Sequence, residues 1–375
     1  MRSQQLAWSI GALALGLAWG LSSPSSGLVW LLGCSIGWLL VHFRIGFSGP
    51  LRRLISQRDG QGLYPIAVLL GGLIVGMAIL LGLEDSLGLS LHLARAPLRW
   101  SLVAGAFLFG IGMQLAGRCA SGTLASPSPS GGSFPLSLAG LVVGVFAGSL
   151  HRPNLEQLTP PGYPPVVLLD RFPLWGAVLL QLGLLLLLVF ALHRFARGGR
   201  SVPGAWRVQL PGVLGLTAAL LLLLVVSGEP WKVLWGLGLT GAHAARGFGW
   251  DPASSAFWAS PSRSALLASP LGWFQHGAVI VDLAVIYGAL AAGAWRSAGR
   301  SPAPSPLAQP LSYLGGGLLM GYGGFLSYGC NISSFLGGVM SFSLHGWLWL
   351  LGALAGSWFW LSLSQKLSRD PPPGG

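Results

Sequence analysis

The chain has 375 residues, of which 53% are apolar and only 8% are charged, and its mean hydropathy is +0.67. This composition is typical of proteins that face lipid, and it excludes both a disordered chain and an ordinary water-soluble domain. The net charge of +12 does not indicate a nucleic acid partner, because the basic residues lie in short segments between apolar runs, where they act as topology signals. The first partner that the sequence predicts is the lipid bilayer.

A helix needs about 20 apolar residues to cross a bilayer. Ten runs near that length occur, at residues 5–22, 27–43, 63–83, 97–115, 134–150, 173–193, 209–227, 276–295, 310–328 and 344–362. The first run lacks a small-residue cleavage site and nine comparable runs follow it, so a span is predicted rather than a secretory signal. The predicted fold class is all-α, a polytopic integral membrane protein with a single transmembrane domain over 1–375 and a disordered tail at 365–375.

Clusters of arginine predict the orientation of the chain. They follow the second, sixth and eighth runs, which places those loops in the cytoplasm. The residues are Arg44, Arg52, Arg53, Arg58, Arg194, Arg197, Arg200, Arg207, Arg296 and Arg300. With ten crossings both termini are cytoplasmic, while Glu84, Asp85, Glu156 and Glu229 lie outside. We expect a multi-pass protein of the bacterial inner (plasma) membrane.

The chain contains an internal repeat. Residues 110–122 read GIGMQLAGRCASG and residues 321–333 read GYGGFLSYGCNIS, and two glycines, a leucine and a cysteine match at a constant offset. After a short gap the match resumes with Ser133-Phe134 against Ser341-Phe342, and then with GVFAGS from Gly144 against GALAGS from Gly352. Each half therefore repeats a motif, a break and a glycine-rich helix.

The predicted topology inserts the two copies in opposite directions, so the repeat is inverted. The halves are predicted at 27–150 and 209–364, joined by a connecting span and a cytoplasmic loop at 173–208. Inverted repeats are shared by many secondary transporters and channels, whose ligand sites lie near the membrane centre where broken helices meet. A membrane enzyme has less reason for this architecture.

The repeated motif predicts a helix break at each cysteine. Glycines beside Cys119 and Cys330 permit unwound backbone inside a bilayer, and the half-helix that follows offers free N–H groups to an anion. A single membrane cysteine is more often apolar filler, as we expect for Cys34, but symmetric placement favours a site. Three cysteines with no CxxC pair and no nearby histidine argue against a metal or a disulfide, and no cofactor is predicted.

Two longer segments resemble the YeeE/YedE family of membrane proteins, which includes thiosulfate transporters and relatives linked to selenium metabolism. They are LAGRCASG around Cys119 and GYGGFLSYGCNISSFLGGVMSFSLHGWLWLLGALAGSW from Gly321. RIGFSGPLRRLISQRD from Arg44 and PWKVLWGLGLTGA from Pro230 are similar to the family's short re-entrant segments. The resemblance implies an hourglass-shaped transporter in which three midline cysteines hold thiosulfate by S–H hydrogen bonds.

Two of these cysteines match Cys119 and Cys330, but the third falls on Gly46, where the family has Arg-Phe-Cys-Phe. Cys34 lies too far along its helix to substitute, and Ser48 is a nearer polar candidate. Arg118 stands where family members commonly have glycine. The residues predicted to bind or relay the anion are Cys119, Cys330, Ser121, Gly122, Asn331, Ser333, Gly329, Gly46, Ser48 and Arg118.

Three residues have open roles. Arg118 either attracts anions at the cytoplasmic mouth or anchors the interface. Asp282 is either a functional carboxylate, for instance a proton-coupling group, or a solvated side chain near the external end. For His345 we expect a capping or interfacial hydrogen bond. The serine-, alanine- and proline-rich region from Asp251 to Leu271 is predicted to be a connector.

The sequence favours a transporter or channel, not an enzyme, for thiosulfate or a similar small sulfur-containing anion. Neutral thiols and N–H groups grip a dianion moderately, as a conducting site requires. One alternative is a membrane sulfur- or selenium-handling protein whose cysteine forms a persulfide and passes sulfur to a soluble carrier. Another is a non-conducting relative, which the glycine at position 46 suggests. A soluble sulfurtransferase docked on Arg52, Arg53 and the other cytoplasmic arginines is a further candidate partner.

Overall fold

The computed structural model describes residues 2–127, 133–158, 160, 162–196, 204–269, 272–295 and 308–369. All ten predicted apolar runs fall on helices. These are α1 (Arg2–Ser22), α2 (Pro24–His42), α4 (Leu63–Gly82), α6 (Trp100–Leu115), α8 (Ser133–Leu158), α9 (Leu174–Phe195), α10 (Leu210–Ser227), α13 (Gly277–Trp295), α14 (Ala308–Leu326) and α16 (Leu344–Arg369). Strand pairing among the described residues is limited to two isolated bridges, so the all-α class is confirmed.

Seven of these helices, within the described ranges, are long and apolar enough to cross a membrane. The other three are α1 and α13, whose apolar stretches Ile10–Leu21 and Gly277–Gly293 are shorter, and the glycine-rich α14. The chain is therefore a multi-pass membrane protein, while the number of ten crossings stays a prediction.

Short helices interrupt the long ones. They are α3 (Ser48–Gln57), α5 (Glu84–Leu87), α7 (Ala120–Leu124), α11 (Val233–Gly247), α12 (Pro261–Ala268), α15 (Gly337–Met340) and a π-helix at Asn331–Leu336. α3 and α11 occupy the two segments that resemble re-entrant helices. α3 buries Leu51 and Leu54 and leaves Arg52 and Arg53 exposed, so its one apolar face packs on the protein.

Most helices pack against a helix from the other half of the chain, so the two halves exchange partners. α6 packs on α16 and α8 packs on α14, while α2 packs on α13 and α4 packs on α10. The re-entrant helices follow the same rule, with α3 against α16 and α11 against α8. α1 contacts α13 and α9 contacts α4, which makes these two helices counterparts as well. Such an exchange is what two repeats related by a two-fold rotation produce.

Glycines bring the four helices that carry the motifs into backbone contact. A Cβ on Gly105 of α6 would lie 2.5 Å from the carbonyl oxygen of Gly323 on α14, and one on Gly112 would lie 2.6 Å from that of Gly316. α14 also contacts α8 at Gly317 and Gly321, where a Cβ would overlap carbonyl oxygens of α8. Small residues at helix crossings are the usual means of close packing in a bilayer.

Two expectations about less regular segments change. The predicted connector from Asp251 to Leu271 contains a folded cap, because Trp258 and Leu267 are buried in a second apolar cluster with Leu239 and Val279. No periodic apolar pattern in the sequence around Trp258 predicts that its indole ring is buried. The predicted tail at 365–375 begins inside α16, which continues to Arg369, and residues 370–375 lie outside the described residues.

Gly110→Ala should destabilise the four-helix packing. Its Cβ would overlap the carbonyl oxygen of Ala353 on α16 and lie 2.9 Å from the Ser357 nitrogen. Overpacking of this kind costs about 1–3 kcal/mol, so we expect a lower unfolding temperature of the detergent-purified protein by fluorescence-detected thermal unfolding. Gly183→Ala on α9, where nothing lies within 4 Å of a Cβ, is the matched control and should be neutral or stabilising. Equal behaviour of the two variants would contradict the close crossing.

Candidate functional site

The first helix break lies between α6 and α7. Gly117 has a left-handed φ of 75°, and Cys119 is extended and caps α7. The Cys119 sulfur accepts a hydrogen bond from the Gly122 backbone nitrogen at 3.3 Å and lies 3.4 Å from Ser121 Oγ. Because the sulfur caps the helix by accepting, its S–H proton remains available to a ligand.

The second break lies between α14 and the π-helix. Tyr328 has a left-handed φ of 65°, two residues before the cysteine, as Gly117 has in the first break. Cys330 caps the π-helix: its sulfur accepts from the backbone of Ser333, while its own backbone nitrogen donates to Ser333 Oγ at 3.0 Å. The predicted helix break at each cysteine is confirmed, and in both copies the sulfur accepts from the residue three positions later.

The unwound backbone of the second break is held by Trp349 of α16. Its indole Nε1 donates to Ser327 Oγ at 2.9 Å and to the Gly329 carbonyl oxygen at 3.2 Å. Ser334 Oγ donates to the Ser327 carbonyl oxygen at 2.9 Å. A Cβ on Gly329 would overlap Ser333 Oγ, so glycine is required there. These bonds supply the partners that bilayer lipid does not offer to exposed backbone.

The two breaks meet inside the protein, where α7 packs against the π-helix. Cys119 is 2% exposed and Cys330 is fully buried. The motif cysteines therefore occupy the closed part of the molecule. Two cavities lie next to them, one at each break.

The Cys119 cavity has a volume of about 460 Å³ and joins most of the predicted residues of the first half. Gly46, Ser48, Arg118, Cys119 and Gly122 all line it. Ser48 Oγ donates to the Met113 carbonyl oxygen at 3.2 Å, which ties α3 to the end of α6. The further cationic side chains in its wall are Arg44 and Arg53. No carboxylate is found among the described residues that line it, although Arg53 pairs with Asp59 at 3.6 Å.

The Gly329 cavity has a volume of about 500 Å³ and reaches the second break at Gly329 and Ser333. Its wall includes Arg152, Lys232 and Arg263, with Glu156 as the one carboxylate among the lining residues. Arg118 donates to Ser133 Oγ at the start of α8, whereas Arg152 lies near its end. At 1.5 Å per residue these positions are about 28 Å apart along the helix, so the cavities open at opposite ends of α8.

The remaining predicted residues lie between or beside the cavities. Ser121 is buried against Cys119. Asn331 is buried near Phe47 and Phe335, and its Oδ1 atom has no hydrogen-bond partner among the described residues. Cys34 lines neither cavity and lies at the crossing of α2 with α13, where a Cβ on Gly288 would overlap its carbonyl oxygen.

Asp282 and His345, two of the three residues with open roles, are both buried. Asp282 is 4% exposed and accepts a hydrogen bond from Trp231 Nε1 at 2.9 Å, so the expectation of a solvated carboxylate is wrong. This bond ties α13 to the entrance of α11. His345 Nδ1 lies 2.7 Å from Ser343 Oγ, the local hydrogen bond that was expected. Within the described residues, no group of His, Cys, Asp or Glu is placed to hold a metal ion.

A model of the sulphur transport family matches residues 42–359 of this sequence. The chain belongs to the sulphur transport family. It is 28% identical over 352 residues to the thiosulfate transporter TsuA of Spirochaeta thermophila, across 88% of this chain and 96% of that protein. Over 77 residues it is 34% identical to the probable transporter YedE of Salmonella typhimurium, which covers 20% of this chain and 19% of YedE. The resemblance to the YeeE/YedE proteins is confirmed.

Sequence reasoning missed three residues that shape the cavities of this member of the sulphur transport family. Trp349 lies within an apolar run in which no local pattern distinguishes it, and Arg152 and Arg263 lie outside the repeated motif. The only local signal was the placement of Arg152 three residues after GVFAGS, in the helix that follows the first break. Nothing in the sequence near Arg263 indicates that it faces a cavity.

Trp349→Phe should loosen the second break, because it keeps an aromatic ring but removes the donor to Ser327 and Gly329. Leaving a buried acceptor without a partner costs about 1–3 kcal/mol. In a Cys34→Ala/Cys119→Ala background we expect faster labelling of Cys330 by a small maleimide. Trp358→Phe on the exposed side of the same helix is the control. An unchanged labelling rate in Trp349→Phe would show that the indole does not close the break.

Proposed function

We propose that the protein imports thiosulfate or a similar small sulfur-containing anion, which passes between the two cavities over Cys330 and Cys119. The observation that carries this proposal is the placement of two equivalent cysteines, each capping a broken helix, in the closed region between two cavities with an excess of positive charge. Membership of the sulphur transport family and the similarity to TsuA support the choice of a sulfur anion.

The chemistry of the closed region suits transient binding of a dianion. Each thiol sulfur accepts from a backbone N–H and keeps its own proton, so a neutral S–H can donate to an oxygen or sulfur of the anion. Ser121 and Ser333 add neutral hydroxyls beside the two sulfurs. Weak neutral donors replace part of the hydration shell without binding so tightly that release becomes slow.

The positive-inside rule gives the orientation of the two cavities in this proposal. Arg44 and Arg53 line the Cys119 cavity and belong to the arginine-rich loop after α2, so this cavity faces the cytoplasm in our proposal. The Gly329 cavity then faces outward, both termini are cytoplasmic, and the membrane is the bacterial inner membrane. The side chain of Arg118 attracts the arriving anion at the inner cavity, which is the first of its two alternative roles.

No step of this transport requires a cofactor or makes or breaks a covalent bond, so the protein acts as a transporter and not as an enzyme. Thiosulfate released into the cytoplasm is a substrate for a soluble sulfurtransferase. Arg52 and Arg53 on α3 are exposed beside the Cys119 cavity and offer such a partner a docking surface, while Arg52 also donates to Gln114 and Arg53 pairs with Asp59.

Cys119→Ala and Cys330→Ala should each abolish growth of an uptake-deficient bacterium on thiosulfate as sole sulfur source, whereas the parent protein restores it. Each change removes a donor from the closed region, and we expect uptake of labelled thiosulfate to fall by more than about tenfold. Cys34→Ala is the matched control, since Cys34 lines neither cavity.

Failure of the parent protein to support growth, despite normal membrane expression, would overturn the proposal that it imports thiosulfate. Transport that survives both alanine variants would instead overturn the thiol relay. If the protein passes sulfur to a carrier as a persulfide, a cysteine labelled by persulfide-selective reagents after exposure to a sulfur donor would be found in place of uptake.

Gly46→Cys tests the missing third thiol. Gly46 lines the Cys119 cavity, and nothing lies within 4 Å of a Cβ at this position, so the new side chain fits without displacing a neighbour. An added hydrogen bond of about 1 kcal/mol would lower the KM for thiosulfate uptake about fivefold. Gly46→Ala controls for the added volume. Equal KM values for the two variants would show that position 46 does not contact the anion.

A further inference from the structure

Two arginines on the wall of the Gly329 cavity each lie over an aromatic ring. The guanidinium carbon of Arg152 lies 4.2 Å from the centre of the Tyr328 ring, and that of Arg263 lies 4.0 Å from the centre of the Phe257 ring. The rings of Phe257 and Phe325 meet edge to face at 5.1 Å and connect the two sites into one wall. Stacking of this kind holds a guanidinium plane in place while its N–H edges remain free to bind.

The positive charge of this wall is not fully compensated. Arg152 pairs with Glu156 at 2.9 Å, and Lys232 pairs with Glu229. Among the residues that the structure describes, no carboxylate lies within 4.0 Å of Arg263, whose Nη1 donates to the Phe257 carbonyl oxygen. Burial lowers the pKa of Arg263, and the nearby charge of Arg152 lowers it further. Two like charges that face one cavity are stabilised by an anion between them.

The wall is fixed to the rest of the protein by the cap at 251–269. Trp258, next to Phe257, is fully buried and donates from Nε1 to Ser149 Oγ on α8 at 2.9 Å. Its ring stacks on Trp235 of α11 at 5.7 Å. The cap therefore holds Arg263 at a set distance from Arg152, which is also on α8. A site needs such support if two charges are to act on the same ligand.

From this geometry we infer that Arg152 and Arg263 form a capture site for a doubly charged oxyanion on the wall of the Gly329 cavity, ahead of Cys330. The inference rests on the proposed function, because it assigns this cavity as the entrance. Neutral thiols and hydroxyls distinguish poorly between one and two negative charges. Two guanidinium groups with a single carboxylate bind a dianion such as thiosulfate or sulfate more strongly than a monoanion such as thiocyanate.

Arg263→Gln tests the site by removing the uncompensated charge while retaining a donor for the Phe257 carbonyl. We expect the thiosulfate concentration for half-maximal uptake to rise on the order of tenfold, the factor that a charge-assisted hydrogen bond contributes. The maximal rate should be unchanged, because the closed region is intact. Arg263→Lys should recover most of the affinity. Arg95→Gln removes an exposed arginine that does not line the cavity and should behave as the parent.

A binding measurement separates this inference from the proposed function. The purified parent protein should be thermally stabilised by sodium thiosulfate and by sodium sulfate more than by sodium thiocyanate at equal ionic strength. Arg263→Gln should lose this difference while keeping the parent unfolding temperature in sodium chloride. If the parent binds dianions in this way but does not transport thiosulfate, the capture site stands and the proposed function fails. Equal dianion preference in Arg263→Gln and Arg95→Gln would overturn the capture site.

Discussion

The structure depends on satisfying the backbone of two broken helices in a region that lipid surrounds. An unpaired N–H or C=O group costs several kcal/mol in hydrocarbon, so a break persists only where other groups of the protein bind it. Here the sulfur of each motif cysteine accepts from a backbone nitrogen three residues later, and the Trp349 indole binds the Gly329 carbonyl oxygen. In our proposal the residues that make the break possible also bind the anion, and this double role accounts for the combination of glycine, cysteine and serine in the motif.

Charge is distributed in a way that suits passage of an anion. Arginine side chains line both cavities, with Lys232 in addition at the Gly329 cavity, whereas the region between them contains neutral thiols, hydroxyls and backbone groups. Positive charge at the two ends raises the local concentration of anions and directs them inward. A cation at the centre would bind the anion more tightly and slow its release. Asp282, the one buried carboxylate among the described residues, lines neither cavity and is bound by Trp231.

The long helices and both breaks were predictable because each leaves a strong local signal. An apolar run of about 20 residues indicates a span, and two copies of a Gly-Cys motif indicate two equivalent breaks. The groups that bind or surround those breaks were not predictable. Trp349 binds Gly329 across 20 residues of sequence, and Arg263 faces the same cavity as Arg152, more than a hundred residues away. The burial of Asp282 depends on the docking of α11, which no local pattern specifies. The cap around Trp258 was not predicted, because a segment rich in serine, alanine and proline has the composition of a linker. Only the packing of the Trp258 ring in an apolar cluster shows that the segment is folded.

The glycine crossings have a mechanical consequence. At the contacts of α14 with α6 and α8, carbonyl oxygens lie where a Cβ would be, so no side chain separates the helices. A rocking motion of one repeat against the other would open gaps at these glycines. No side chain is present there to fill a gap, so the backbone atoms on both sides would lose their dispersion contacts. The central four helices therefore act as a stiff frame. Any opening of the proposed path is then left to elements outside this frame, which favours gating by local elements over alternating access by whole-repeat rotation.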